Sequence, residues 1–221
     1  MKRFAFVSDF DGTLTSRDFY HIIIDKYLKD WGRDLYTQWK KTKKINVEFL
    51  NKIFGSMNLS LSDLHEEILK IPIDPSAKGF IERVKSNQGD FYIVSAGTSY
   101  YIEILLKHLA IQAEVISMKG VYQNNGILII PDKNSPYHSD IFGIDKKKVL
   151  EDIKKRVDVV FFAGDSEPDL QAAKAADFAF ARGELKSLLD EEHAPNIPYG
   201  DFSEIEAYLK GNGWLNESTN S

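Results

Sequence analysis

The chain has 221 residues, 43% of them apolar, which is enough for a packed core and too much for a disordered chain. Acids outnumber bases 33 to 28, a formal charge of −5, and a general nucleic-acid binder needs positive charge to displace counterions. With no cysteine at all, disulfide scaffolds, zinc ribbons and thiol nucleophiles are excluded.

The first element is the run Phe4-Ala5-Phe6-Val7-Ser8, short, apolar and ending at Asp9. Such a run reads as a strand buried on both faces by helices. It is too short for the apolar stretch of a secretory signal (about 7–15 residues), and no stretch approaches the ~20 of a membrane span. A cytoplasmic protein with no membrane contact is therefore expected. Asp9-Phe10-Asp11-Gly12-Thr13 follows directly. Residues two apart in an extended segment point the same way, so Asp9 and Asp11 can face one site, one to attack an electrophile and the other to shuttle a proton. A polar strand end closed by an Asp-Gly turn is the plainer alternative.

Residues 16–75 are too many for a simple connection. Apolar spacing predicts helices around Phe19, Ile22, Ile23 and Tyr27, around Val47, Leu50, Ile53 and Phe54, and around Leu61, Leu64, Ile68 and Leu69, with Pro72 and Pro75 ending the series. This is read as a helical cap inserted over the strand ends. The aromatics Phe19, Tyr20, Trp31 and Trp39 are assigned to its core.

After a helix carrying Phe80, Ile81 and Val84, a second strand at Asp90–Val94 runs into Ser95-Ala96-Gly97-Thr98. Hydroxyls and free N–H groups at a helix start suit an anion, although many strand–helix turns look alike. A helix through Ile102, Leu105, Leu106 and Leu109 follows, then a hairpin in Gly120–Ile129 signalled by Asn125-Gly126.

Asp145 to Val157 reads as a helix capped by Asp145. Lys146 falls on the face of Val149, Leu150 and Ile153, while Lys147 aligns with Glu151 and Lys148 with Asp152. An inward cation at a helix start needs an anionic partner, unless all three lysines are simply at the surface. A third strand, Val157–Ala163, leads to Gly164-Asp165, and Pro168-Asp169 opens the next helix, where an acid also suits the helix dipole. A fourth strand is Phe178–Ala181, and the polar tail from Asn216 is expected to fray. The five histidines show no metal-ligand spacing, and most of them are expected in solvent.

Strand, polar turn and helix, repeated, give an α/β fold with a doubly wound parallel sheet. Its core is residues 1–15 and 76–215, its cap 16–75, and its tail 216–221. Ligands of such sheets bind outside the carboxyl ends of the strands, where the polar residues above all lie. Asp9, Asp11, Asp165 and Asp169 would then crowd together and repel, and a hard divalent cation such as Mg²⁺ resolves that.

In the order Asp9-Phe10-Asp11-Gly12-Thr13, Ser95, Lys146 and Gly164-Asp165-Ser166-Glu167-Pro168-Asp169, these motifs resemble the haloacid dehalogenase superfamily, in its phosphatase rather than dehalogenase branch. The inserted helical cap is similar to the phosphoserine phosphatase-like branch. Phe180-Ala181-Arg182, Leu185 and Ile197-Pro198-Tyr199-Gly200-Asp201-Phe202 are most similar to the 2-hydroxy-3-keto-5-methylthiopentenyl-1-phosphate phosphatases of methionine salvage, although Ser95-Ala96-Gly97 departs from that group's Ser-Gly-Gly.

The resemblance implies a Mg²⁺-dependent phosphomonoesterase acting on a small phosphorylated metabolite. Asp9 would be the nucleophile forming an aspartyl-phosphate, and Asp11 the acid and base. Mg²⁺ would be held by Asp9, the main-chain carbonyl of Asp11, Asp165 and Asp169. Ser95, Ala96, Gly97 and Lys146 would hold the phosphate. Thr13 would steady the first loop within the substrate-binding set, and Arg17 and Tyr20, at the cap entrance with Asp18 and Phe19, would contact substrate. The methylthiopentenyl phosphate, phosphoserine and other small phosphates all remain open as substrates. A silent binding protein on the same scaffold is the rival reading, against which the presence of both Asp9 and Asp11 speaks. Transfer to an acceptor other than water is a third.

Overall fold

A computed structural model describes residues 3–42 and 45–216. The expected tail lies outside the described residues except for Asn216, whose N–H donates to Asn87 Oδ1 at 2.9 Å.

Strand β1 is Phe4–Ser8, with every residue buried. It is followed by α1 (Phe19–Ile23), one π turn (Ile24–Leu28), α2 (Lys29–Thr42), α3 (Val47–Gly55) and α4 (Leu61–Leu69). Then come α5 (Ala77–Ser86), β2 (Asp90–Thr98), α6 (Ser99–His108), β3 (Glu114–Gln123), β4 (Gly126–Ile130) and the two-residue strands β5 (His138–Ser139) and β6 (Gly143–Ile144). The chain closes with α7 (Lys146–Lys154), β7 (Val159–Gly164), a 3-10 turn (Glu167–Asp169), α8 (Leu170–Ala175), β8 (Phe178–Ala181), α9 (Gly183–Glu191), β9 (Ile197–Pro198) and α10 (Phe202–Gly211).

Seven strands form one sheet in the order β4-β3-β2-β1-β7-β8-β9, parallel except for β4. From β1 the chain builds outward on one side through β2 and β3, then returns to build the other side from β7. Right-handed crossovers in opposite directions put α5 and α7 on opposite faces of the sheet. The reversal lies between β1 and β7, and there the carboxyl ends leave a crevice.

The face under α5 and α10 is aromatic. Phe6 stacks on Phe91 at 5.6 Å between centroids and meets Phe80 edge-on at 4.8 Å, with Phe161, Phe180 and Phe202 also within 6.4 Å. Parallel register puts Phe6 beside Phe91 on one flank and Phe161 on the other. Each such ring pair adds about 0.5–1.5 kcal/mol to the burial of its area. The strands carrying the site are thus pinned where their polar ends begin.

The helices before α5 start and finish at one place. Thr15 bridges Ile73, the Ser16 N–H donates to Pro72 O, and the Asp74 N–H donates to Leu14 O. Helix α2 was not marked by apolar spacing. Trp39 is its buried anchor, Leu35 and Tyr36 are partly covered, and Trp31 is half exposed rather than core. The hairpin turns on Asn124-Asn125, both at positive φ, one residue earlier than Asn125-Gly126. Gly126 lies where a Cβ would come within 2.5 Å of Phe54 O, so it lets α3 approach β4. Asn51 of α3 accepts from Ile129 N–H at 2.7 Å and donates to Ile129 O at 3.1 Å, occupying main-chain groups of this edge strand. Among the described residues, no helix is long and apolar enough to cross a membrane.

Candidate active site

Asp9 leaves β1 with its N–H bonded to Ala163 O of β7 at 2.9 Å, which fixes its main chain at the crevice. The chain then turns sharply at Gly12, where φ is +77° and a Cβ would sit 2.4 Å from Asp165 Oδ2. Both the backbone conformation and the missing side chain are required there. Arg182, just past β8, holds this turn. Its Nη2 donates to Gly12 O at 2.6 Å and Thr13 O at 2.9 Å, its Nε to Gly12 O at 3.0 Å, and its guanidinium lies 5.2 Å from the Tyr199 ring. Thr13, fully buried, donates its hydroxyl to Asp165 Oδ1 at 3.0 Å, so it braces one acid rather than facing the cavity.

Asp9, Asp165 and Asp169 each bring a carboxylate oxygen to within 4.8 Å of the others. Lys146 Nζ lies between two of them, 2.5 Å from Asp9 Oδ1 and 2.6 Å from Asp169 Oδ1. Asp9, Lys146 and Asp169 are 4%, 3% and 0% exposed, so these charges meet with almost no solvent between them. Asp169 Oδ2 also accepts the N–H groups of Asp165 and Ser166, each at 3.1 Å. It therefore serves two places at once: one oxygen closes a capping box with Ser166 at the start of its 3-10 turn, and the other reaches Lys146 in the site. Asp145 caps α7 through the Lys148 N–H and so sets which lysine turns inward. Lys147 pairs with Glu151, but Lys148 pairs with Asp145 in place of Asp152, which is taken by Tyr137, Lys155 and Arg156.

Burial and then the Asp169 charge hold the Asp9 carboxyl well above the carboxylate range. Burial and Asp169 push Asp165 up to about 7. Burial alone would lower Lys146, but Asp169 and Asp9 outweigh it and raise the ammonium above its ordinary value.

Asp11 faces a different neighbourhood. Its Oδ1 accepts the Phe19 N–H at 3.0 Å and its Oδ2 accepts the Tyr101 hydroxyl at 2.5 Å. Burial and the nearby Asp18 charge push it up to about 7, which suits an acid and base near neutrality. Ser95, Ala96 and Gly97 do not form a strand–helix turn. They belong to β2, whose register to β3 jumps from Ser95–Ser117 to Thr98–Met118, so Ala96 and Gly97 bulge out at the strand end. The Gly97 N–H donates to Ser95 Oγ at 2.9 Å.

A cavity of about 260 Å³ covers these groups. Asp9, Asp11, Ser95, Ala96, Gly97, Lys146 and Asp165 line it, as does Tyr20. Arg17 does not line it; its guanidinium pairs with Asp25, and it lines an adjoining pocket with Gly12, Arg182 and Gly183. Thr13 and Asp169 stand behind the lining, one against Asp165 and the other against Lys146. Sequence reasoning passed over Tyr101, Tyr36, Lys40, Ile45, Leu50, Phe142 and Glu184 as site residues, and did not single out His21 among the histidines, yet all line the cavity. Lys40 of α2 reaches Glu184 of α9 at 2.7 Å across it. Nothing local in the sequence marks these residues, because they meet only when the helices from residues 19–69 fold over the strand ends.

The sequence profile of the haloacid dehalogenase-like hydrolases matches residues 6–174. A Bacillus cereus protein named 2-hydroxy-3-keto-5-methylthiopentenyl-1-phosphate phosphatase is 26% identical over 208 residues, covering 91% of this chain and 94% of the relative. A Bacillus thuringiensis protein of the same name is 27% identical over 212 residues, with the same coverage. A structure described as a phospho-aspartyl intermediate analogue of phosphoserine phosphatase superposes with a TM-score of 0.69 at 18% identity, over 94% of this chain and 99% of that one. A haloacid dehalogenase-family hydrolase from Salmonella enterica serovar Typhi gives 0.73 at 16% identity, over 98% and 72%. At those identities the two structures speak to the fold.

Proposed function

The chain belongs to the haloacid dehalogenase-like hydrolase family, and from that premise we propose that it is a phosphatase that hydrolyses a small phosphomonoester through an aspartyl-phosphate on Asp9. One observation carries this reading: the Asp9 carboxylate meets Lys146 at 2.5 Å beside Asp165 and Asp169, while Asp11, two residues on, is held apart at the strand end. A nucleophile, a separate acid and base, and an anion-holding cation are thus gathered in one cavity.

The buried oxygen set of Asp9, Asp165 and Asp169 fits Mg²⁺, a hard cation that takes carboxylate oxygens. Raised carboxyl pKa values are what such a set shows without a divalent partner. These three residues, with the main-chain carbonyl of Asp11, would hold the ion. When bound it neutralises charge shared between the Asp9 carboxylate and the phosphate.

In the first step an Asp9 oxygen attacks phosphorus and the bond from phosphorus to the ester oxygen breaks. Asp11 gives its proton to that oxygen, which leaves as an alcohol. In the second step water loses a proton to Asp11 and displaces Asp9 from phosphorus, releasing inorganic phosphate and restoring both side chains. Lys146, Ser95 and the bulged Ala96-Gly97 main chain would hold the non-bridging oxygens. Tyr20, lining the cavity, would meet the leaving group, and Arg17, from outside it, would act only through its pairing with Asp25.

For the substrate, the names of the curated relatives point to 2-hydroxy-3-keto-5-methylthiopentenyl-1-phosphate. The cavity wall supports a leaving group with an apolar end over phosphoserine. Ile45, Leu50 and Phe142 line it, and Lys40, which would meet a serine carboxylate, is engaged by Glu184. Phosphate release from both esters, measured with Mg²⁺ and with chelator, tests this. Metal-dependent release favouring the methylthiopentenyl ester is expected. Equal release in chelator would contradict the metal-assisted reading, and a preference for phosphoserine would overturn the substrate.

A further inference from the structure

Tyr101 is the third residue of α6 and is 2% exposed, yet its hydroxyl is spent on Asp11 rather than on any structural group. Its ring is fixed by aromatics from three separate segments: Phe10 of the first loop at 6.1 Å, Phe19 of α1 at 5.0 Å and Phe54 of α3 at 6.0 Å. We propose that Tyr101 is the positioning residue of the acid: by gripping Asp11 Oδ2 it fixes the orientation of that carboxyl, with Oδ2 facing the Ser95–Gly97 cradle. The proposal rests on the phosphatase reading above.

The Phe19 main-chain N–H donates to Asp11 Oδ1 at 3.0 Å and the Tyr101 hydroxyl donates to Oδ2 at 2.5 Å, so both carboxyl oxygens are held and the side chain has one orientation. Gly97 shows which way Oδ2 faces. A Cβ built there would fall 2.9 Å from Asp11 Oδ2 and 2.0 Å from the Tyr101 hydroxyl oxygen. Oδ2 thus looks directly onto the bulged main chain that would hold the phosphate. A carboxyl gripped at both oxygens cannot rotate away between its two uses, first as acid and then as base.

Loss of an aimed proton donor is felt most by esters whose leaving group most needs a proton. The test is kcat/KM, which reports formation of the aspartyl-phosphate, for 4-nitrophenyl phosphate and phenyl phosphate with Mg²⁺. General acid catalysis contributes about 10²–10⁴-fold, so Asp11→Asn sets the full loss on the phenyl ester. Tyr101→Phe is expected to widen the gap between the two esters by about tenfold and to lower kcat for the phenyl ester with KM unchanged, a share of that loss. In the Asp11→Asn background Tyr101→Phe should widen it no further. Gly97→Ala, whose methyl would fall 2.0 Å from the same hydroxyl and 2.9 Å from Asp11 Oδ2, should steepen the dependence as well, which keeps the test decisive if Tyr101→Phe fails to fold. A wild-type gap in a folded Tyr101→Phe, or in Gly97→Ala should the first not fold, would overturn the positioning role and leave the phosphatase reading intact. Failure of the wild-type protein to hydrolyse either ester would count against that reading itself.

Discussion

Asp11 and Asp165 are each pushed up to about 7, first by burial and then by a neighbouring carboxylate, Asp18 for the one and Asp169 for the other. Raised values mean that the folded protein binds these protons more tightly than the unfolded chain does. The resulting stabilisation is complete below the unfolded value near 3.8 and is lost as pH rises through about 7. The metal-free protein should therefore melt at progressively lower temperature between pH 5 and 8. Mg²⁺ should restore the difference, and do so most at the alkaline end, where the acids are free to bind it. Asp165→Asn should melt higher than the wild type without metal at pH 8 and lose most of the Mg²⁺-induced rise. Thermal melts with Mg²⁺ and with chelator check all three, and a metal-free protein that gains stability with pH would contradict the electrostatic account. The crowding of these acids was legible in the sequence, because Asp9 and Asp165 end apolar runs and Asp11 and Asp169 follow them within four residues. The sequence could not show that Asp11 stands apart from the other three, since Tyr101 and Phe19, which hold it, announce no such role in their own segments.

On the scale of an element, α7 shows what periodicity predicts well. The Asp145 cap fixes the helix start, and 3.6-residue spacing then turns Lys146 onto the buried face with Val149 and Leu150. Lys146→Ala should lower kcat by about 10²-fold or more, on the scale of removing a stabilising donor, whereas Lys147→Ala and Lys148→Ala should stay within about twofold. Steady-state kinetics on 4-nitrophenyl phosphate read this, and equal losses at the three positions would refute the helix phase. Helix α2 shows where periodicity fails. Trp39 is the one large apolar side chain buried among its described residues, so its stripe is too sparse to stand out from a solvated segment. Strand β2 shows a second limit. Ser95-Ala96-Gly97 reads as a turn because it is small and polar, but the strand continues to Thr98 with two residues bulged, a matter of pairing with β3 that no local pattern encodes.

For the whole molecule, strand order decides function. The sheet reverses between β1 and β7, so the first acidic motif and one more than 150 residues later come to share a crevice. Four apolar runs ending in polar residues made the parallel sheet and its polar edge legible. The short strands β5, β6 and β9, two residues each, carry no such signal. The helices of residues 19–69 then close the crevice with Tyr20, Leu50 and Lys40, joined to the sheet side by the Lys40–Glu184 ion pair. On the proposed function, this architecture would place one buried carboxylate, Asp9, against a phosphate. The most direct measurement is to trap the protein during turnover of 4-nitrophenyl phosphate with Mg²⁺, reduce it with borohydride, and map the product by peptide mass spectrometry. An acyl phosphate is reduced to an alcohol, so homoserine should replace aspartate at position 9 and nowhere else, and Asp9→Asn should yield none. Conversion at another carboxylate, or steady turnover with Asp9 unmodified, would contradict the account.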